Sequence, residues 1–190
     1  MTRTVWLRRV AVVVVVGMMP AVASGAGWSL VPSANALAPR GHLSGVSCAS
    51  AGACIAVGHH KNGAGTEVAL AERWDGTSWA IQTIPNPPGA RTSSLSGVSC
   101  VSADVCTAVG DYVNGDGTQV TLAERWDGTG WAIQATPNPH GARHNYESGF
   151  QGVSCVSAGR CTAVGAYYNF AGTTEVTLTE RWNGRSPRRR

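Results

Sequence analysis

Residues 95–139 read LSGVSCVSADVCTAVGDYVNGDGTQVTLAERWDGTGWAIQATPNP, and the chain writes this unit about three times. Cys100 has its counterparts in Cys48 and Cys155, at offsets of 52 and 55 residues. Self-similarity at such a period marks a repeat architecture, in which one unit cannot bury its own apolar face and must stack on its neighbours. The repeats run over about 43–94, 95–149 and 150–184. The copies differ in length in their linkers, 88–95 against 140–150, where insertions are tolerated.

Inside the unit the apolar residues alternate, which predicts strands rather than helices. The expected strands are 97–100, 106–110, 119–126 and 131–135. A turn at 102–104, a polar loop at 112–118 and the tetrad Asp127-Gly-Thr-Gly130 separate them, and Pro137-Asn-Pro139 ends the last. Four strands in about fifty residues is the pattern of a propeller blade. The expected fold is therefore all-β, with three four-stranded propeller-type blades as an open arc, a fragment or a ring completed by oligomerisation. A β-trefoil, also threefold with four strands per unit, is the alternative.

The six cysteines fall as Cys48/Cys54, Cys100/Cys106 and Cys155/Cys161, always C-x5-C. Cysteines flanking a five-residue turn can face each other across a hairpin at bonding distance. An even count at fixed spacing in an exported chain predicts three local disulfides. Each closes a short loop and contributes about 2 kcal/mol through chain entropy. Export is predicted by Arg3, Arg8 and Arg9 ahead of an apolar run and Pro20, the layout of a signal peptide over 1–23 with cleavage after 23 or 26. The run is too short for a membrane span, so the expected location is extracellular, with no membrane span after cleavage.

The net charge of +4 is an effect of the two ends. The signal holds three arginines and the tail 185–190 four, which leaves residues 24–184 with eight basic and eleven acidic side chains. A mildly acidic body gives no footprint for nucleic acid.

The third strand carries a glutamate in every copy, Glu72, Glu124 and Glu180, alternating with Leu and Trp on one face. An unpaired buried carboxylate is costly. These residues are expected to accept bonds from backbone or from Arg73, Arg125 and Arg181 of an adjacent unit. One side of the second strand carries Cys106, Ala108 and Gly110, matched by Cys54, Ala56 and Gly58 and by Cys161, Ala163 and Gly165. Side chains this small are expected to let neighbouring sheets approach closely. At the N-terminus Trp28, Leu30 and Asn35 keep the spacing of Trp79, Ile81 and Asn86, so 27–35 reads as an isolated fourth strand. The third copy stops after Trp182-Asn-Gly184, short of that strand.

Trp79, Ile81, Pro85, Pro87, Arg91, Gly110 and Trp131 follow one another in the order of a kelch repeat, which the chain resembles. It is also similar to secreted bacterial repeat proteins bearing GVSCxSxxxCxAVG and TLAERWDGTxW units, whose longer members resemble complete propellers without assigned activity. The likeness covers residues 28–184. It departs from kelch at Gly58-His, Gly110-Asp and Gly165-Ala, where kelch has paired glycines.

No G-x-S-x-G elbow, H-E-x-x-H, Walker loop or dinucleotide fingerprint is present. Asp111, Asn114 and Asp116 miss the spacing of a calcium loop. Hence no catalytic residue, metal or cofactor is assigned. Binding is expected instead from His59, His60, Tyr112, Tyr167, Tyr168 and Phe170, in loops that differ between copies while their flanks repeat. The expected role is non-catalytic binding of an extracellular glycan or protein. A propeller-type lyase or oxidase and a truncated fragment are the rival readings.

Overall fold

The structure is a computed structural model that describes residues 27–34, 40–137, 148–169 and 174–184. The expected signal peptide with both cleavage points, Asn35, Phe170 and the tail 185–190 lie outside the described residues. The chain divides into two units, Met1–Leu30 and Val31–Arg190. In the first, residues 27–30 carry no regular structure, and Trp28 and Leu30 are fully exposed.

The second unit is all-β, with no helix among the described residues. Its strands are β1 (His42–Ser50), β2 (Ala53–Lys61), β3 (Glu67–Trp74), β4 (Trp79–Gln82), β5 (Thr92–Ser102), β6 (Val105–Val113), β7 (Gln119–Trp126), β8 (Trp131–Gln134), β9 (Ser148–Ser157), β10 (Arg160–Tyr168) and β11 (Glu175–Trp182). They form three antiparallel sheets in chain order, β1-β2-β3-β4, β5-β6-β7-β8 and β9-β10-β11. Among the described residues no sheet closes on itself or on another.

The first strand of each repeat is longer than the alternation predicts, because a bulge interrupts it. Between Leu95 and Gly97 the register against β6 slips by one residue, and the same slip occurs in the other two sheets. A bulge leaves one residue unpaired and shifts every side chain beyond it to the other face. The alternation therefore fails at Ser96 although the ladder continues to Thr92 opposite Val113. The bulge also explains the glycine repeated on the second strand. A Cβ at Gly58, Gly110 or Gly165 would overlap the backbone carbonyl of His42, Ser94 or Gly149, the residue bent inward on the partner strand. Gly110 thus serves its own sheet rather than the approach of a neighbour, which corrects the expectation.

Neighbouring sheets meet instead at their first strands. A Cβ at Gly45 would stand 3.1 Å from the Cα of Gly97, and one at Gly97 3.1 Å from that of Gly152. Further along, the Cys100 N–H donates to the Ser47 hydroxyl at 2.9 Å, and the Cys155 N–H to Ser99 at 3.0 Å. Both pairs of contacts advance together along the chain, so β1, β5 and β9 run side by side in one direction. The same operation relates each sheet to the next.

Between the first two sheets lies the main core, where Ile55, Val57 and Ala71 meet Leu95, Leu122 and Trp126. A smaller cluster of Val109, Phe150, Ala163 and Leu178 joins the second sheet to the third. The second sheet therefore turns one face to the first sheet and the other to the third.

The three disulfides form as the spacing predicts. Cys48 bonds Cys54, Cys100 bonds Cys106 and Cys155 bonds Cys161, each pair directly opposite in the first hairpin of its sheet, with Cα separations of 3.9, 4.0 and 4.0 Å. Such bonds persist in an oxidising environment. Their surroundings are not equivalent, and Cys54 departs from the expectation that the small residues of the second strand let neighbouring sheets approach closely. Cys106 and Cys161 are buried, the first in the main core and the second 3.6 Å from the Thr107 hydroxyl of the sheet before it. Cys54 is only half-buried. The physical reason is its place in the stack: it belongs to the first sheet, and no preceding sheet stands among the described residues to cover it. The Cys54 bond therefore closes its hairpin without joining either cluster.

Among the described residues no helix is long and apolar enough to cross a membrane. At the hairpin leading into the fourth strand, Asp75 accepts from the Thr77 hydroxyl at 2.7 Å and from the Thr77 and Ser78 N–H groups, and Asp127 does the same with Thr129 and Gly130. Those bonds to the ionised form, led by the threonine hydroxyl, hold Asp75 down at about 2 and lower Asp127 as well.

Candidate binding surface and an inter-sheet cavity

The second strands carry the candidate residues further than the sequence suggests. His59, His60, Tyr112, Tyr167 and Tyr168 stand on the last residues of β2, β6 and β10, not in loops. Because the three sheets are related by one operation, these strand ends lie at one end of the stack. The loops after the first two are themselves alike and locked. Asn62 Oδ1 accepts the N–H groups of Ala64 and Thr66, and Asn114 Oδ1 those of Asp116 and Thr118. The oxygen that a cation would need is thus already committed in both loops.

His60, Tyr112 and Tyr167 are equivalent positions, on the face that in the second and third sheets is turned to the preceding sheet. Tyr112 packs against the main core, and Tyr167 against the second cluster beside Phe150. His60 Nδ1 is buried without a hydrogen-bond partner. His59 stacks on His42 with ring centroids 5.6 Å apart, sits 3.3 Å from the Ser94 hydroxyl through Nδ1, and lies 3.9 Å from the Glu67 carboxylate through Nε2. Tyr168 faces Glu175 across the ladder. His59 and His60 are adjacent on one strand and point to opposite faces, so the five residues form a row of separate positions and do not converge on a point. Among the described residues no three His, Cys, Asp or Glu side chains gather as metal ligands would.

A feature that the sequence reading missed lies between the second and third sheets. A cavity of about 260 Å³ opens there, floored by Val109, Phe150 and Val153 and rimmed by Arg125, Thr136 and Glu180. Between the first and second sheets the equivalent space is partly filled, and a more open cleft of about 530 Å³ remains beside Gln82, Pro85, Trp126 and Trp131. Ile55 and Ile84 stand where the cavity has Thr107 and Thr136, and Trp131 is buried beside Trp126 at a ring separation of 5.9 Å. Trp182, the counterpart of Trp126, has no such neighbour beside β11 among the described residues. The Arg125 guanidinium covers its ring at 5.5 Å instead.

The three glutamates meet three different fates. The Ser33 hydroxyl donates to both Glu72 oxygens at 2.8 and 2.9 Å, and the Ala34 N–H adds a third bond at 3.2 Å. Both Glu124 oxygens are buried without a hydrogen-bond partner, and so is Glu180 Oε1. The expected pairing of Glu124 and Glu180 with arginine does not form. The reason is one position, five residues beyond the tryptophan of the incoming segment. It is Ser33 ahead of the first sheet, Ile84 ahead of the second and Thr136 ahead of the third. Ile84 packs into the main core and has no donor to offer, while the Thr136 hydroxyl is engaged with Thr121 at 2.7 Å. Burial therefore pushes Glu124 up to about 8 and Glu180 up to about 7.

Ser33→Ala is expected to destabilise the fold by about 1–3 kcal/mol, the cost of removing donors from a buried acceptor. Urea denaturation followed by tryptophan fluorescence measures it, and an unchanged midpoint would show that the Ala34 N–H suffices.

No protein-family model and no curated protein matches the chain.

Proposed function

We propose that the chain is a secreted, non-catalytic binding module, built of kelch-like, propeller-type sheets, that recognises an extracellular glycan or protein surface. The observation that carries this reading is where the copies disagree. The strand ends read His59-His60-Lys61, Asp111-Tyr112-Val113 and Ala166-Tyr167-Tyr168, while the loops after the first two repeat the same asparagine lock. Differing aromatic and titratable residues on a scaffold otherwise kept constant are the usual form of a recognition surface. Tyrosine suits the task, because it offers a rigid apolar ring with a polar tip. Three local disulfides fit an exported protein whose small sheets need pinning.

The test is a screen of the oxidised chain on an array of bacterial and host glycans and on intact cell surfaces. Tyr168→Ala and Tyr112→Phe are expected to weaken any positive signal at least about tenfold, the value of one lost contact of about 1.4 kcal/mol. Tyr112→Phe keeps the ring in the core, so a loss there reports the hydroxyl and not the fold. Retention of full binding by both variants would remove these strand ends from the reading.

A further inference from the structure

Among the described residues the first and third sheets each leave one face uncovered, and the two faces match each other. On the leading side Leu43 and Val46 of β1 are 39% and 62% exposed, whereas their equivalents Leu95, Phe150 and Val98 are buried against a preceding sheet. On the trailing side Val164 of β10 is 49% exposed, whereas Val57 and Val109 in the same place are at 0% and 1% against a following sheet. Apolar positions that are buried inside a repeat and bare at its two ends are the pattern of stacking surfaces.

The hydrogen-bonding edges match in the same way. In the complete sheets the third strand pairs the fourth in a fixed register, Trp126 with Trp131, Arg125 with Ala132 and Glu124 with Ile133, and Trp74, Arg73 and Glu72 pair likewise with Trp79, Ala80 and Ile81. The edge of β11 has no partner strand among the described residues. Trp28-Ser29-Leu30 has the side chains of the fourth strand in the right order, and both large residues stand in solvent. Three residues beyond Leu30, Ser33 already occupies on Glu72 the place that the fourth-strand exit takes on each following sheet. The cavity beside Trp182 is the space that Trp131 fills one sheet earlier.

We propose that a second copy of this chain supplies Trp28-Ser29-Leu30 to the edge of β11, with Trp28 opposite Trp182, Ser29 opposite Arg181 and Leu30 opposite Glu180. Its first sheet then covers Val164, and its Leu43 and Val46 are buried. The interface is head-to-tail, so it must close into a ring or grow without limit. Two copies bring six of the described sheets, within the range of about four to eight over which such rings close. The pairing needs no glycan or other ligand.

Light-scattering mass of the oxidised chain tests this, with Trp28→Ala and Val164→Glu as variants. Both positions are exposed, so neither substitution disturbs the three sheets of a single chain, and a free-thiol count of zero confirms the fold. A two-chain mass that falls to one chain in both variants is the expected result. A chain carrying Ser29→Cys with Arg181→Cys should also become covalently linked to a second chain on oxidation. A parent of one-chain mass, an assembly that either variant leaves intact, or a cross-link between positions 29 and 181 confined within one chain would overturn the proposal.

Discussion

Gly110→Ala is expected to abolish the native fold of the second sheet, and Gly58→Ala and Gly165→Ala the folds of their own. The added methyl meets backbone, the carbonyl of Ser94 and the Cα of Leu95, at a separation that no rotamer change relieves. Relief requires undoing the bulge between Leu95 and Gly97, which would turn Leu95, fully buried in the main core, to the other face. Overpacking alone costs about 1–3 kcal/mol, and loss of a buried leucine adds about 2–5 kcal/mol. That total is comparable to the whole stability of a small domain, about 5–15 kcal/mol. Circular dichroism and hydrogen exchange of β5 and β6 measure the effect. Gly130→Ala is the control, since a Cβ there has nothing within 4 Å. Equal behaviour of the two variants would mean that the bulge is dispensable.

The second large effect is on pH dependence. Glu124 is fully buried, and desolvation raises it from 4.5 to about 8. Below pH 4.5 the carboxyl is protonated in both folded and unfolded chains and costs nothing. As pH rises from there, the unfolded chain releases the proton while the folded one keeps it, so the unfolded state gains and stability falls until about pH 8. With 1.36 kcal/mol per unit, the fall is on the order of 5 kcal/mol. Glu180 adds a smaller decline in the same direction, discounted because its side chain is partly open to solvent. Glu124→Gln is expected to flatten most of the slope between pH 5 and 8 measured by urea titration. Glu124→Leu should match or exceed the parent's stability near pH 7, because an apolar residue replaces a polar group with no partner. A parent whose stability is flat across that window would rule out a protonated Glu124.

Much of the scaffold was legible. The C-x5-C pairs, the strand at β7 and the hairpin of Asp127 to Gly130 follow from spacing and turn chemistry, and the structure has them in place. Spacing says nothing of what covers each pair, so the open setting of Cys54 beside the closed ones of Cys106 and Cys161 emerges only from the order of the sheets. The first strands extend beyond what alternation predicts, because a one-residue bulge at Ser96 breaks the period of two. The repeat pattern places the candidate tyrosines in loops for the related reason that β6 and β10 continue past the glycine that faces the bulged strand. The environment of the glutamates is not legible from any one repeat, since the residue set beside each comes from the segment entering from before, and only Ser33 donates to its glutamate. Comparing Ser33, Ile84 and Thr136 across the copies was the available signal. The cavity follows from threonine standing in place of isoleucine at two positions, Thr107 and Thr136, and from a tryptophan absent beside Trp182 among the described residues.

The three glutamates make the molecule its own reference set. One acid, on one strand position, in one backbone geometry, is held beside a serine, an isoleucine and a threonine. Carboxyl-carbon resonances of a single labelled sample would therefore report three solvation states side by side, with no mutant needed. Ile84→Ser should then move one resonance toward the behaviour of another already in the same spectrum, so that each repeat acts as the wild-type control for its neighbour.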